Sequence, residues 1–285
     1  MSVQPEYELV IEPSQGWLAV RWRELWEYRD LLYLLVQRDF LAKYKQTILG
    51  PLWFILQPLL TTAIFVLIFT RVAQLPTDGI PAPLFFLCGL VIWNYFAQSV
   101  SSGSATFTSN AHIFGKVYFP RLIVPAATVL SNLAAFALQL LPFVAMFAWY
   151  ALFTPFAGEL HLSWRMLYVP LLLAQTSLFA FGVSLWLSAA SAKYRDLVHL
   201  NAFLLQLWMY ATPVIYPLSK MPKSLGWLVW LNPMAPLVEA FRIASLGRGT
   251  LDPATLLASA CLTLFVTFTG IAAFQKSART AMDHV

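Results

Sequence analysis

Charged side chains are scarce in this 285-residue chain. Asp, Glu, Lys and Arg make up 11% of it, whereas soluble domains carry about 25%. Hydrophobic residues make up 59%, and the mean hydropathy is +0.68. This composition excludes an ordinary soluble protein and indicates an integral membrane protein.

Cysteine and nucleotide-binding glycines are also rare or missing. The two cysteines, Cys88 and Cys261, lie in apolar stretches and offer no disulfide framework. No His-Glu-x-x-His and no Cys/His metal spacing occurs, so no metal site is predicted. No Gly-x-x-x-x-Gly-Lys-Ser/Thr occurs, which excludes a P-loop. Energy for uphill transport would therefore have to come from another polypeptide.

The apolar stretches contain almost no ionisable groups. His112 and His199 are the exceptions, both near a stretch end, where we interpret them as interface residues. Ion pumps and secondary transporters use ionisable groups inside the membrane, and many secondary transporters contain inverted repeats. Neither feature is present. The serine-rich run 99–104 has no suitably placed histidine, which argues against an intramembrane hydrolase.

Six charge-free stretches are each long enough to cross the ~30 Å bilayer core. We therefore predict an all-α membrane protein with a six-helix transmembrane domain at 48–285. The predicted spans are 48–70, 82–108, 122–152, 166–191, 197–217 and 253–275. A polar tail at 1–16 and an amphipathic interface helix at 17–47 precede them, and no cleavable signal is visible. A shorter apolar region at 221–245, interrupted by prolines, predicts an external re-entrant hairpin.

The basic residues predict the orientation. With six spans, twelve of the 18 Lys and Arg residues fall on the side of both termini. The positive-inside rule then places both termini in the cytoplasm of a multi-pass inner-membrane protein. The basic balance is thus explained by topology, and no nucleic-acid partner is predicted.

Two predicted cytoplasmic loops carry aromatic side chains beside basic ones. They lie at 112–121 and 192–197. Exposed aromatics on short loops predict a docking surface for a partner protein. Anchoring in the membrane interface is the alternative. Their candidate docking residues are Phe114, Lys116, Val117, Tyr118, Phe119, Arg121, Tyr194, Arg195 and Asp196.

Aromatic residues are abundant, with 11 Trp, 11 Tyr and 22 Phe. Flat aromatic faces stack on sugar rings, so aromatics within spans could line a channel for a glycan. Packing and interfacial belts are the alternative explanation for each of them. The candidate channel residues are Trp53, Phe54, Phe65, Phe69, Trp93, Tyr95, Phe96, Trp208 and Tyr210.

An ordered series of short motifs resembles a known family. The motifs are Arg38-Asp39, Tyr44-Lys45-Gln46-Thr47, Leu49-Gly50-Pro51-Leu52-Trp53, Gln57-Pro58, Tyr194-Arg195-Asp196-Leu197, Thr212-Pro213-Val214-Ile215-Tyr216 and Leu231-Asn232-Pro233-Met234, followed by Glu239 and Arg242. Their order and spacing resemble type-2 ABC exporter permeases for cell-surface polysaccharides, such as O-antigen, capsule and teichoic acid exporters. The resemblance covers nearly the whole chain.

The resemblance implies a homodimer that works with two separate ABC ATPase subunits, which use ATP and Mg; this chain binds no cofactor itself. It implies that the 114–121 loop is a coupling helix seated in an ATPase. The substrate would be a lipid-linked glycan, with its anionic head group arriving at Arg38, Lys43 and Lys45. The implied external gate residues are Tyr216, Trp227, Trp230, Asn232, Glu239 and Arg242.

Two alternatives remain at this point. A type-2 ABC permease for a drug or lipid shares the topology, although the Leu-Gly-Pro-Leu-Trp opening is not expected there. A membrane-embedded glycan-modifying transferase would need a catalytic acid or histidine near a membrane face. Asp78, Glu159 and His161 are the external candidates, and they form no recognisable motif.

Overall fold

The computed structural model describes residues 22–45, 47–114, 119–158, 164–194 and 196–280. These residues form helices joined by turns, and no strand occurs among them. The prediction of an all-α fold is confirmed. Within the described residues the α-helices are α1 (Trp22–Glu27), α2 (Arg29–Tyr44), α3 (Trp53–Phe65), α4 (Ala82–Ser104), α5 (Thr106–Phe114), α6 (Ile123–Phe153), α7 (Val169–Lys193), α8 (Leu197–Tyr210), α9 (Gly226–Leu231), α10 (Met234–Leu246) and α11 (Pro253–Thr280).

In the part of the chain that the structure describes, five helical segments are long and apolar enough to cross a membrane. They are Gly50–Val72, Ala82–Ser104, Ile123–Phe153, Trp164–Lys193 and Pro253–Ala278, and each coincides with a predicted span. In the first, a 3-10 turn at Gly50–Leu52 leads into α3, and a π-helix at Val66–Val72 follows it.

The remaining predicted span, 197–217, contains a shorter helical segment than the other five, and this segment ends where the sequence 211–217 predicts a break. Its helix α8 has 14 residues, which at 1.5 Å per residue is about 21 Å long, too short for the ~30 Å core. It ends where Thr212-Pro213 follows, since proline disfavours the helical conformation of the preceding residue. The six-span count therefore stays a prediction.

Contacts nevertheless show that the chain from α8 to Ser219 runs antiparallel to the α4 region. Asn201 donates a hydrogen bond to Ser104 at the end of α4, and Trp208 packs edge-on against Phe96. Farther along, a Cβ atom on Gly89 would lie 3.2 Å from the Val214 carbonyl oxygen. Finally, Ser219 donates to Asp78, which precedes α4. A fifth crossing would thus combine a short helix with irregular backbone.

Helix α4 is the centre of the bundle. It packs against α6, α7, α8 and α10. In its most apolar stretch of 18 residues, 78% of the residues are buried. Buried aromatics such as Phe85, Phe86 and Phe96 fill the space around it. The π-helix and α3 lie outside this core. In the most apolar 18-residue stretch of Gly50–Val72, only 11% of the residues are buried.

Helices α7 and α11 approach closely through small residues. A Cβ atom on Gly182 would lie 2.7 Å from the Thr267 Cα atom, and one on Gly270 would lie 2.5 Å from the Gly182 carbonyl oxygen. Such small-residue contacts are typical of helix pairs in membranes. They fix α11 against the bundle.

The interface helix packs at one end of the bundle. Leu35 of α2 is buried in a cluster with Phe119, Ile123, Val124 and Ala127 at the start of α6. The outer face of α2 carries exposed apolar side chains. Beside this cluster, Arg121 donates a hydrogen bond to the carbonyl of Ala278 near the end of α11. Helix α2 and the end of α11 thus lie at the same end of the bundle.

Candidate functional site

The chain after α8 is irregular but buried. Thr212, Val214 and Ile215 are at most 4% exposed. Irregular backbone at membrane depth is tolerated only where protein or a cavity surrounds it, because free carbonyl groups are costly in lipid. The polar groups freed here must therefore find partners within the protein, and side chains from α10 and the residues before it provide them.

Asn232, between α9 and α10, binds the end of α8. Its amide nitrogen donates to the Ala211 carbonyl at 3.1 Å and to the Thr212 hydroxyl at 2.9 Å. Its amide oxygen accepts from the Trp208 indole at 2.9 Å and from the Met234 backbone N–H at 3.1 Å. Both donors and both acceptor sites of the Asn232 amide are therefore used.

Arg242 of α10 satisfies the next free carbonyl. It donates to the Pro213 carbonyl at 2.7 Å and pairs with Glu239 one helical turn earlier. Both side chains of the pair are 1% exposed. The guanidinium carbon lies 3.9 Å from the centre of the Phe85 ring of α4, within cation–π range. Arg242 therefore connects α10, α4 and the chain after α8.

Glu239 extends this connection to the loop before α11. Its carboxylate accepts a hydrogen bond from the Thr250 backbone N–H at 3.1 Å. We call Trp208, Thr212, Pro213, Asn232, Glu239 and Arg242 the helix-break junction.

Three of the six predicted gate residues, Asn232, Glu239 and Arg242, meet in this junction. Tyr216 donates from its hydroxyl to the Tyr210 carbonyl at 3.3 Å. Trp227 and Trp230, on α9, are exposed. The roles of Phe85 and of the Pro213 carbonyl were not predicted. Pro213, which follows shortly after the last residue of α8, Tyr210, was the available signal.

The described residues among those predicted for docking lie at the opposite end of the bundle from the helix-break junction. Phe119 is 6% exposed, so its prediction as an exposed aromatic is wrong: it packs against α2 instead. Tyr194 and Asp196 are exposed, and the Lys193 ammonium lies 5.1 Å from the Tyr194 ring centre. Lys116, Val117, Tyr118, Arg195 and the Phe114 side chain lie outside the described residues. The docking role itself stays a prediction.

The predicted head-group residues differ in exposure. Arg38 pairs with Asp39 at 2.8 Å and donates to Asn110 at 3.4 Å. Lys43 instead points into the bundle and donates to Asn132 of α6. Desolvation by burial lowers the pKa of Lys43 to about 8, while Asp39 acts to raise it. Lys45 is exposed. Lys43 therefore fastens α2 to α6, and head-group binding by all three stays a prediction.

The predicted channel aromatics fall into three groups. Trp93, Tyr95 and Phe96 are at most 3% exposed, inside the subunit core. Phe54, Phe65, Phe69 and Trp208 are half-buried and make ring contacts with other aromatics. Trp53 and Tyr210 are about half exposed, at 48% and 50%. Packing explains the first two groups, and a channel role stays a prediction for all nine.

The helices that carry these residues match one family model. The model of the ABC-2 type transporter family matches residues 30–246, from α2 through α10. The chain belongs to the ABC-2 type transporter family. The matched range includes the helix-break junction, both predicted docking loops and, from Asp30 onwards, helix α2.

Relatives of this ABC-2 family member have names that refer to polysaccharides. An O-antigen export system permease protein of Myxococcus xanthus is 31% identical over 257 residues, covering 89% of this chain and 95% of the relative. One of Klebsiella pneumoniae is 30% identical, covering 87% and 92%. A polysialic acid transport protein of Escherichia coli is 24% identical, covering 85% and 91%.

Proposed function

We propose that this chain is the membrane-spanning permease subunit of an ATP-driven exporter that moves lipid-linked polysaccharide across the inner membrane. The observation that carries this proposal is the 31% identity, over 89% of the chain, to an O-antigen export permease. The second relative named for O-antigen export supports an O-antigen-like substrate.

Energy comes from a partner. The sequence has no P-loop, so ATP and Mg bind to separate ABC ATPase subunits, two for each homodimer of this chain. Both termini face the cytoplasm, where the basic residues are concentrated. The ATPases dock against the 114–121 and 193–197 loops. Phe119 transmits their motion, because it connects the first loop to Leu35 of the interface helix.

The glycan passes between the two subunits. Trp53 and Tyr210 are the candidate channel residues that remain exposed on one subunit, so they supply the stacking faces. The helix-break junction keeps its position during transport and holds α10 at the external end. The Glu239 carboxylate is bound by Arg242 and by the Thr250 backbone N–H within the subunit, which favours a structural role for it rather than the role of a catalytic acid.

Export in cells tests the proposal. In a strain lacking this gene, the wild-type chain should restore long surface polysaccharide when it is expressed with its ABC ATPase. An ATPase variant without its P-loop lysine is the matched control, and the glycan should then accumulate inside on its lipid carrier. If surface polysaccharide persists without the permease while another lipid or drug accumulates, the family alternative of a drug or lipid permease is correct.

A further inference from the structure

An open groove runs along α3 in the half of the bundle that lies away from α2. It has a volume of about 370 Å³ and lies between α3, the first turn of α4 and α6. The lining residues are Leu59, Thr62, Ala63, Val66, Leu67, Arg71, Pro83 and Met146. Arg71 is the one charged residue among them.

The groove follows α3 and the π-helix after it, from Leu59 to Arg71. At the α-helical rise of 1.5 Å per residue this stretch would be about 18 Å long, and the π-helix makes it somewhat shorter. One leaflet of the bilayer core is about 15 Å thick, half of ~30 Å. The groove therefore has the length of one acyl chain, and it ends at the last turn of the Gly50–Val72 span, where head groups lie.

The polar groups of the groove lack partners. Thr62 is 2% exposed, and its hydroxyl has no hydrogen-bond partner in the described part of the chain. Arg71 is exposed and forms no ion pair with any described residue. The Thr62 hydroxyl oxygen is itself inaccessible, so it makes no contact with a ligand in the groove. An unpaired cation at the end of an apolar groove favours a ligand with an apolar chain and an anionic group.

The local backbone also widens here. Val66, Leu67 and Arg71 belong to the π-helix Val66–Val72. Single-turn π segments are rare and frequent at functional sites. The segment sets Val66 and Leu67 along the groove and brings Arg71 to its end.

We propose that this groove binds one phospholipid of the leaflet opposite the interface helix, with an acyl chain between α3 and α6 and its phosphate on Arg71. A second copy of the chain seated here would have to supply an acidic group for Arg71, whereas a phospholipid supplies both the apolar chain and the anion. The lipid fills the side of α3 that the core leaves uncovered. This inference does not rest on the transported substrate.

Native mass spectrometry of the full-length chain tests the site. The chain is purified in detergent and mixed with palmitoyl-oleoyl phosphatidylglycerol, or with the diacylglycerol of the same chains, which lacks the phosphate. We expect Arg71→Gln to lower phosphatidylglycerol retention about five-fold, since an arginine near anionic lipid contributes ~1 kcal/mol. Arg71→Lys should keep most of it. Lys220→Gln, which removes an exposed charge away from the groove, is the matched control.

Ala63→Trp tests the groove itself. Ala63 is exposed, so the indole fills the groove without entering the core, and retention of phosphatidylglycerol should be lost while the thermal unfolding temperature stays unchanged. Equal retention by Arg71→Gln and Lys220→Gln, or equal binding of the diacylglycerol, would overturn the proposal. A loss of dimer mass in Ala63→Trp would also overturn it, in favour of a second copy as the occupant.

Discussion

The two ends of the bundle are held together in different ways. At the helix-break junction, buried polar side chains bind carbonyl groups that the end of α8 leaves free. At the opposite end, α2 is held by apolar packing around Leu35 and by Lys43, and much of its surface is exposed. A buried polar network favours a single arrangement of its side chains, because each polar group left without a hydrogen bond costs about 1–3 kcal/mol of stability. Apolar packing at a surface opens more readily. We therefore expect the end with the helix-break junction to be rigid, and the end with α2 to move when a partner protein acts on it.

The largest effect should follow removal of Arg242. Arg242→Ala leaves the Pro213 carbonyl free and the Glu239 carboxylate buried without its partner, and breaking a buried pair costs about 3–5 kcal/mol. We expect little folded protein and a thermal unfolding temperature well below that of the wild type in detergent. Adding Glu239→Gln should restore part of the loss, because the uncompensated charge is gone. An unchanged unfolding temperature in Arg242→Ala would remove the contrast between the two ends.

A smaller effect is expected at Asn232. Asn232→Ala removes the donors for Ala211 and Thr212 and the acceptor for the Trp208 indole, which should cost about 2–3 kcal/mol. Asn232→Asp keeps the acceptor and loses the donors. Its unfolding temperature should lie at or below that of Asn232→Ala, since a buried charge adds its own cost. If Asn232→Asp matched the wild type, the carbonyl of Ala211 would not need this donor.

The sequence allowed most of the fold to be predicted. Long charge-free stretches identified five helices correctly, because a membrane requires unbroken apolar helix wherever lipid surrounds the chain. The stretch at 197–217 is also charge-free, and its prolines predicted a break at 211–217; it contains a 14-residue helix that ends at Tyr210. The irregular backbone of this stretch is buried against α4 and α10. A segment surrounded by protein and a segment surrounded by lipid have the same hydropathy, so hydropathy alone does not reveal where the helix ends.

The site was predicted less completely. Asn232, Glu239 and Arg242 were grouped together by the family resemblance, which implied that all three belong to the external gate. Their partners, Pro213 and Phe85, lie 29 and 157 positions from Arg242 in sequence, so only the tertiary fold reveals them. The exposure of Phe119 was predicted wrongly for the same reason: a loop aromatic beside basic residues gives no indication that α2 covers it.

A change at the apolar end should act locally. Phe119→Ala removes the aromatic ring that packs on Leu35, so amide hydrogen exchange in α2 should become faster while exchange in α10 stays unchanged. The unfolding temperature should fall less than for Asn232→Ala. In the assembled exporter, ATPase activity should persist while polysaccharide export falls. Tyr194→Ala, at an exposed aromatic, is the control for hydrogen exchange. If Phe119→Ala speeds exchange equally in both helices, the two ends are not independent.

The smallest effect should be the pH dependence of Lys43. Its pKa is lowered from 10.5 to about 8 by burial, so the folded chain holds this proton less tightly than the unfolded chain. Between these two values the unfolded state binds more protons, and the free energy of unfolding therefore rises with pH. The wild type should gain stability over this window relative to Lys43→Met, as thermal unfolding at a series of pH values would show. Lys45→Met, at an exposed neighbour, should keep the wild-type slope. A slope for Lys43→Met equal to that of the wild type would mean that Lys43 is solvated, and α2 would then be held at this end by apolar contacts alone.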